Sequence, residues 1–252
     1  MGKYSSSTPV CRLEDISRRD KTISIGKVEV VKKVGLVGNP NVGKSVIFNE
    51  LTGGRAWVGN WPGVTVEKKV GRLVVSDMRF EIIDLPGIYG LTAYSIDEMI
   101  ARNFIVNEKP DLIVNIVNAA NIERNLYLTI SLLEMGANIV VALNMMDLAE
   151  EEGYSIDVGK LSEELGVPVV PMVAIKKLGF RELIDELVKR SLEKRPHIKV
   201  DIVDYGPLLE EKIRDVEKLV SSYLPELASI YVPRWIAIKL LERDPEIEKK
   251  IA

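Results

Sequence analysis

The residues GNPNVGKS, Gly38 to Ser45, place a lysine and a hydroxyl directly after two glycines five positions apart. That spacing suits a loop that wraps phosphate oxygens. Glycines let successive backbone N–H groups curl around an anion, and a following helix turns its positive end toward it. In such a loop Lys44 reaches the β- and γ-phosphates and Ser45 gives an oxygen to Mg²⁺. Further along, DLPG (84–87) ends an apolar run. There Asp84 can hold the Mg²⁺ shell through water, and the Gly87 N–H can meet a γ-phosphate. Between the two motifs, in NWPGVTVEKK (60–69), Thr65 offers a second hydroxyl to the metal. Gly38, Asn39, Pro40, Asn41, Val42, Gly43, Lys44, Ser45 and Val46 are therefore expected around the phosphates, with Lys44, Thr65 and Gly87 nearest the reacting group.

A phosphate loop does not name the base. NMMD (144–147) closes a later apolar run. The Asp147 carboxylate can accept from both N1–H and the 2-amino group of guanine. Adenine lacks that donor pair and would leave a carboxylate unpaired. Asn144 is expected to brace the loop. In VAIKKLG (173–179) the backbone N–H of Ala174, beside Val173, could meet the guanine O6.

These motifs need a scaffold that brings the ends of several strands together. Residues 28–38 read as a strand entering the glycine loop, and 44–53 as a helix ended by glycine. Two apolar runs around Ser76-Asp77-Met78 read as a β-hairpin. Residues 95–108 read as a helix with Ser95 as N-cap and Glu98 completing a capping box. Buried strands are expected over 110–119, 138–144 and 168–173, with helices over 125–136, 157–166 and 179–194. Strands that are nearly continuous apolar runs, alternating with helices, predict an α/β fold: a mostly parallel sheet covered on both faces. Beyond Arg195-Pro196 the pattern becomes short helices, expected over 206–220, 233–243 and 244–252, with prolines at their starts. The expected organisation is a flexible extension over 1–27, a nucleotide-binding domain over 28–195 and a small all-α domain over 196–252.

Composition narrows the function. Of 252 residues 46% are hydrophobic, enough for a sizeable core, and the net charge of −3 argues against a general nucleic-acid binder. One cysteine, Cys11, excludes a disulfide framework, and one histidine, His197, argues against a histidine base or a His-ligated metal. No apolar run approaches the roughly 18 to 20 residues that span a bilayer. The polar N-terminus lacks the apolar core of a signal peptide. Gly2 and Ser6 have the spacing of a myristoylation signal, but a polar tail is the simpler reading.

The order of motifs resembles the translation-factor-related P-loop GTPases. GNPNVGKS, GNWPGVTVEKK, DLPGIYGLTAYSIDEMIAR and NLYLT resemble more narrowly the N-terminal cytoplasmic part of FeoB, the prokaryotic ferrous iron transporter, over about residues 33 to 190. The tail resembles the helical domain of that family, linked there to GDP retention. The resemblance implies a slow GTPase that uses GTP/GDP, Mg²⁺ and K⁺, with Asn41 ligating the monovalent cation beside the phosphates. It implies a place on the cytoplasmic side of the cell membrane. The partners implied are a membrane pore domain of the same full-length protein and other subunits of an iron transport system. Two positions depart from the usual pattern: Met145 stands where lysine is usual, and Val173 where serine is usual.

Ile88 follows DLPG, where Ras-like enzymes carry a water-orienting glutamine. Backbone groups around Gly59 to Thr65 are expected to place the water instead. Arg55 reads as a solvated charge rather than an arginine finger. The switch segment 55–69, with its glycines, is expected to be the loosest part of the domain. Two other functions fit a similar fold. A ribosome- or tRNA-associated GTPase would carry a basic RNA-binding module, whereas the charges here beyond residue 195 are balanced. A nucleotide sensor with negligible turnover would share every motif.

Overall fold

The computed structural model describes residues 31–92, 94–193 and 198–251. The expectations for residues 1–27, including Cys11 and the Gly2/Ser6 pattern, lie outside the described residues, as does His197.

The described chain begins with β1 (Val31–Gly38), α1 (Lys44–Thr52), β2 (Ala56–Asn60), β3 (Glu67–Val75), β4 (Met78–Asp84) and α2 (Ile96–Asn103). It continues through β5 (Leu112–Asn118), α3 (Ile122–Glu134), β6 (Ile139–Asn144), α4 (Met146–Glu151), α5 (Val158–Leu165), β7 (Val169–Pro171) and α6 (Phe180–Leu192). The strands form one sheet in the order β2-β3-β4-β1-β5-β6-β7. β4, β1, β5, β6 and β7 run parallel, while β2 and β3 add an antiparallel edge.

Successive strand residues feed opposite faces. Ile82, Leu112, Val114, Val140 and Ala142 pack with Phe48 and Leu51 of α1 and Leu183 and Leu187 of α6. Their neighbours Ile83, Ile113, Val141 and Leu143 pack on the other face with Ile100 of α2 and Leu128 and Leu132 of α3. This two-sided burial explains why the strands read as nearly continuous apolar runs. It also places the C-terminal ends of β1, β5 and β6 side by side, where the loops carrying the motifs emerge.

Among the described residues four helices follow: α7 (Pro207–Tyr223), α8 (Pro225–Ile230), α9 (Pro233–Leu241) and α10 (Pro245–Ile251). Each starts on proline, whose missing N–H costs nothing in a first turn. α9 is buried along most of its length, and Trp235 stacks on Tyr231 with centroids 5.3 Å apart. This unit docks on the sheet unit through apolar contacts, with Met135 against the Trp235 cluster, and through polar groups. Arg102 of α2 donates to Asp244 at 2.7 Å, with both side chains 5% exposed, and its guanidinium lies over the Trp235 ring. The Tyr205 hydroxyl donates to Glu134 at 2.7 Å, where burial pushes the glutamate carboxyl up.

Several elements differ from the sequence expectation. The helix expected over 95–108 is α-helical only to Asn103 and then widens into a π turn, Phe104–Glu108. That turn puts three consecutive apolar residues, Phe104, Ile105 and Val106, into the core. Ser95 caps α2 by accepting from the Glu98 N–H, but the Glu98 carboxylate accepts from Thr92 instead of returning to Ser95. The capping box is thus half made. α3 starts three residues earlier than expected, and α4 and α8 were not anticipated.

The switch segment contains a strand, β2, paired antiparallel with β3. Trp61, just beyond it, is 6% exposed and meets Phe104 edge-on at 5.8 Å, with the Lys68 ammonium 4.5 Å from its ring. A segment expected to be loose is therefore anchored in the core at one aromatic residue.

Candidate nucleotide site

β1 runs from solvent into the core and ends at Gly38, pressed against β5. A Cβ there would sit 2.7 Å from the Ile116 carbonyl oxygen. The loop then turns through Asn41 (φ 66°) and Gly43 (φ 91°) into α1. A side chain at Gly43 would also meet the Asn144 amide nitrogen at 2.4 Å, so glycine is required twice over. The Gly43 carbonyl accepts from Val46 and Ile47 and opens α1. Asn39 is buried, and its side-chain amide has no protein partner among the described residues.

The DLPG loop is tied to this one: the Ile88 N–H donates to the Gly38 carbonyl at 3.1 Å, and Gly87 abuts Pro40. Lys44 forms an ion pair with Asp84, both largely buried. The two groups expected to meet phosphate and Mg²⁺ separately here neutralise each other.

Asn144, at the end of β6 and 3% exposed, joins three segments distant in sequence. Its Nδ2 donates to the Val42 carbonyl at 2.9 Å, and its Oδ1 accepts from the Ala174 N–H at 2.9 Å. The phosphate loop, the NMMD segment and the 173–178 turn are thereby clamped together. The Ala174 N–H, expected to face the base, is directed to Asn144.

Met145 holds φ at 62°, left-handed backbone that a non-glycine side chain rarely adopts, and α4 starts from it. That turn brings Asp147 into the cleft wall. The Leu148 N–H donates to Asp147 Oδ1 at 3.1 Å, and Lys176 reaches Oδ2 at 2.8 Å. The Lys176 ammonium holds the Asp147 carboxyl below the usual carboxylate range, and the lysine is itself raised by the pairing.

The outcome is a cleft of about 660 Å³. Its walls include Asn39, Pro40, Asn41, Gly43, Lys44, Ser45, Val46 and Gly87 on the side of the glycine loop. Asn144, Met145, Asp147, Val173 and Ala174 line the other side. Gly38 and Val42 lie behind the loop. Asp84 is reached through Lys44, and Thr65 is exposed on the 61–66 turn, outside the cleft walls. Leu148 and Ile175 also line the cleft and were not anticipated, nor was Lys176. A two-lysine stretch in a polar loop carries no spacing signal that would have singled Lys176 out.

The chain matches the family described as Ferrous iron transport protein B over residues 32–187, and the FeoB cytosolic helical domain over 205–252. A Fe(2+) transport protein A/Fe(2+) transporter FeoB fusion protein of Porphyromonas gingivalis is 40% identical over 249 residues, covering 97% of this chain and 29% of the relative. The Fe(2+) transporter FeoB of Escherichia coli K12 is 41% identical over 216 residues, 84% of this chain and 27% of its own length. The chain thus spans less than a third of the curated relatives it matches. Among solved structures, the cytosolic domain of T. maritima FeoB in a GDP form has a TM-score of 0.81 at 38% identity, covering 88% of this chain and 85% of that one. The FeoB G-domain from Methanococcus jannaschii has a TM-score of 0.58 at 53% identity, covering 65% of this chain and 99% of that one. The strand order, the clamped motifs and the helical unit that follows them are accounted for together: the chain has a P-loop GTPase fold followed by a helical domain, and it belongs to the FeoB family.

Proposed function

We propose that this chain binds GTP and GDP, hydrolyses GTP slowly, and acts as the nucleotide-controlled part of a ferrous iron transporter. The observation that carries the reading is the Asn144 clamp, which sets a phosphate loop and an anionic base-reading residue in one cleft. T. maritima FeoB cytosolic domains have been solved in GDP and GMPPNP forms, which supports the choice of nucleotide. The FeoB match of the helical unit weighs against the ribosome- or tRNA-associated alternative.

In this reading the phosphate-loop N–H groups and Lys44 bind the phosphates, and Asp147 reads the guanine edge. Ser45 and Asp84 present hard oxygen donors of the kind Mg²⁺ prefers, and the metal would neutralise phosphate charge there. Thr65 joins them only if the 61–66 turn moves inward. The Asn41 side chain, exposed at the cleft wall, offers an amide oxygen to K⁺. Ile88 is buried and apolar, so the attacking water is placed by backbone groups of the switch segments. Turnover without a monovalent cation is then about 10⁻⁴ to 10⁻³ per second, the unassisted range for such enzymes.

Nucleotide choice would control Fe²⁺ passage through a membrane part of the full-length protein, with this unit at the cytoplasmic face. Among the described residues no helix is long and apolar enough to cross a membrane. Domain limits at residues 28–195 and 196–252 belong to the same proposal.

Competition binding of GTP against ATP tests the base assignment, with equal affinities refuting it. Hydrolysis in K⁺ and in Na⁺ at equal ionic strength tests the cation. The rate should be higher in K⁺, and Asn41→Ala should abolish the difference while leaving binding nearly intact. A rate indifferent to the cation removes K⁺ from the mechanism.

A further inference from the structure

We propose that Lys176 is a positioning residue for guanine recognition, holding the Asp147 carboxylate in the orientation that reads the base. The proposal rests on the guanine reading of Asp147 given above.

A carboxylate that reads guanine must present both oxygens to two adjacent N–H groups. Side chains near it must therefore fix its rotation without consuming its acceptors. The two positions where the usual pattern carries polar groups are apolar here, Met145 and Val173, and neither supplies a donor. Among the described residues, Lys176 is the side chain that donates to this carboxylate, on Oδ2, while the Leu148 N–H holds Oδ1. These donors do not exhaust the carboxylate, because an ionised carboxylate has about four lone-pair sites.

The geometry places the lysine at the rim and the carboxylate within. The Lys176 side chain is 56% exposed and that of Asp147 is 19% exposed. Lys176 closes the short 3₁₀ turn Ala174–Lys176, and the first residue of that turn is bonded to Asn144. The next residue, Lys177, pairs with Glu50 of α1 at 2.8 Å. The backbone that carries Lys176 is thus held on both sides, and its ammonium has a fixed base from which to reach Asp147.

The test is calorimetric titration of the chain with GDP and with xanthosine diphosphate. The variants are Lys176→Met, Lys176→Arg, Asp147→Asn and the Asp147→Asn/Lys176→Met double variant. Lys176→Met should weaken GDP binding by about two- to fivefold, the range of a partly exposed ion pair. Lys176→Arg should restore it. In the Asp147→Asn background, which should favour xanthosine diphosphate, Lys176→Met should leave affinity for that nucleotide unchanged, because the anion it positions is gone. Unchanged or tighter GDP binding by Lys176→Met overturns the proposal, the second outcome marking the lysine as a competitor for the carboxylate. An equal loss in both backgrounds also overturns it, as a general effect on the turn. If Asp147→Asn still prefers GDP, the guanine reading itself fails, and that result is visible without any change at Lys176.

Discussion

Replacing Asn144 by alanine tests the clamp on which the site depends. Truncation removes two hydrogen bonds of 2.9 Å and leaves the Val42 carbonyl and the Ala174 N–H without their partner. Both residues are at most 3% exposed, so water does not readily replace the lost amide. At about 1 to 3 kcal/mol for each orphaned buried group, the expected loss of stability is about 3 kcal/mol. That corresponds to roughly a hundredfold change in the folding equilibrium. Asn138→Ala provides the comparison. It removes one amide-to-carbonyl bond of 3.0 Å at the opposite end of β6, in a more exposed setting, and should cost about 1 kcal/mol or less. Urea unfolding followed by tryptophan fluorescence and circular dichroism measures both variants. GDP titration of Asn144→Ala should also show weakened binding, because the 173–178 turn is no longer tied to the phosphate loop. A variant within about 1 kcal/mol of wild type, with GDP affinity unchanged, would refute the claim that Asn144 organises the cleft.

Met145→Lys should tighten GTP and GDP together by about 1 to 2 kcal/mol, the scale of one charge-assisted contact, with little change in their ratio; titration of both nucleotides reads it, and an unchanged affinity rejects it. Limited proteolysis of residues 55–69 should be slower with a GTP analogue than with GDP. Trp61→Ala should speed cleavage in both states by releasing the buried anchor, and equal cleavage of wild type in the two states counts against a switch there. Glu210 is held by the Arg234 guanidinium, which pulls its carboxyl down to about 2. A depressed carboxyl stabilises the fold above its unfolded value of 4.5 and loses that contribution as pH falls toward 2. Glu210→Gln should therefore lose less stability than wild type between pH 5 and 3, read as the change in thermal midpoint, and equal losses would show that the pair does not contribute.

The central sheet was legible because burial on both faces leaves little room for polar residues in the middle of β1, β5 and β6; the buried exception, Asn115, accepts from the Thr129 hydroxyl. The lining of the cleft was legible for a related reason: the motifs follow strands, and a parallel sheet brings the ends of those strands to one edge. β2 was not legible, since four of its five residues are exposed and no alternation marks it. The π turn was hidden because Phe104, Ile105 and Val106 continue an apolar pattern that an α-helix also satisfies. Trp61 gave no signal of its anchoring role, because its partner Phe104 lies far along the chain and only the fold brings the two rings together.

The Lys44–Asp84 pair shows how motif residues can be legible in type and yet not in arrangement. Spacing assigned the lysine to phosphate and the carboxylate to Mg²⁺, two roles in two places. The fold sets them in contact, each balancing a charge that would otherwise be left alone in a poorly hydrated wall. In the proposed function a phosphate bound by Lys44 would compete with Asp84 for the ammonium. There Ser45 and Asp84 would be the residues to hold Mg²⁺, whose charge would offset that of the carboxylate. β1 leads to Lys44 and β4 ends at Asp84, and these strands are hydrogen-bonded neighbours in register, with Leu36 opposite Asp84. The ion pair therefore joins the phosphate loop to the DLPG loop at a second point, beside the Ile88 N–H that already ties that loop to Gly38.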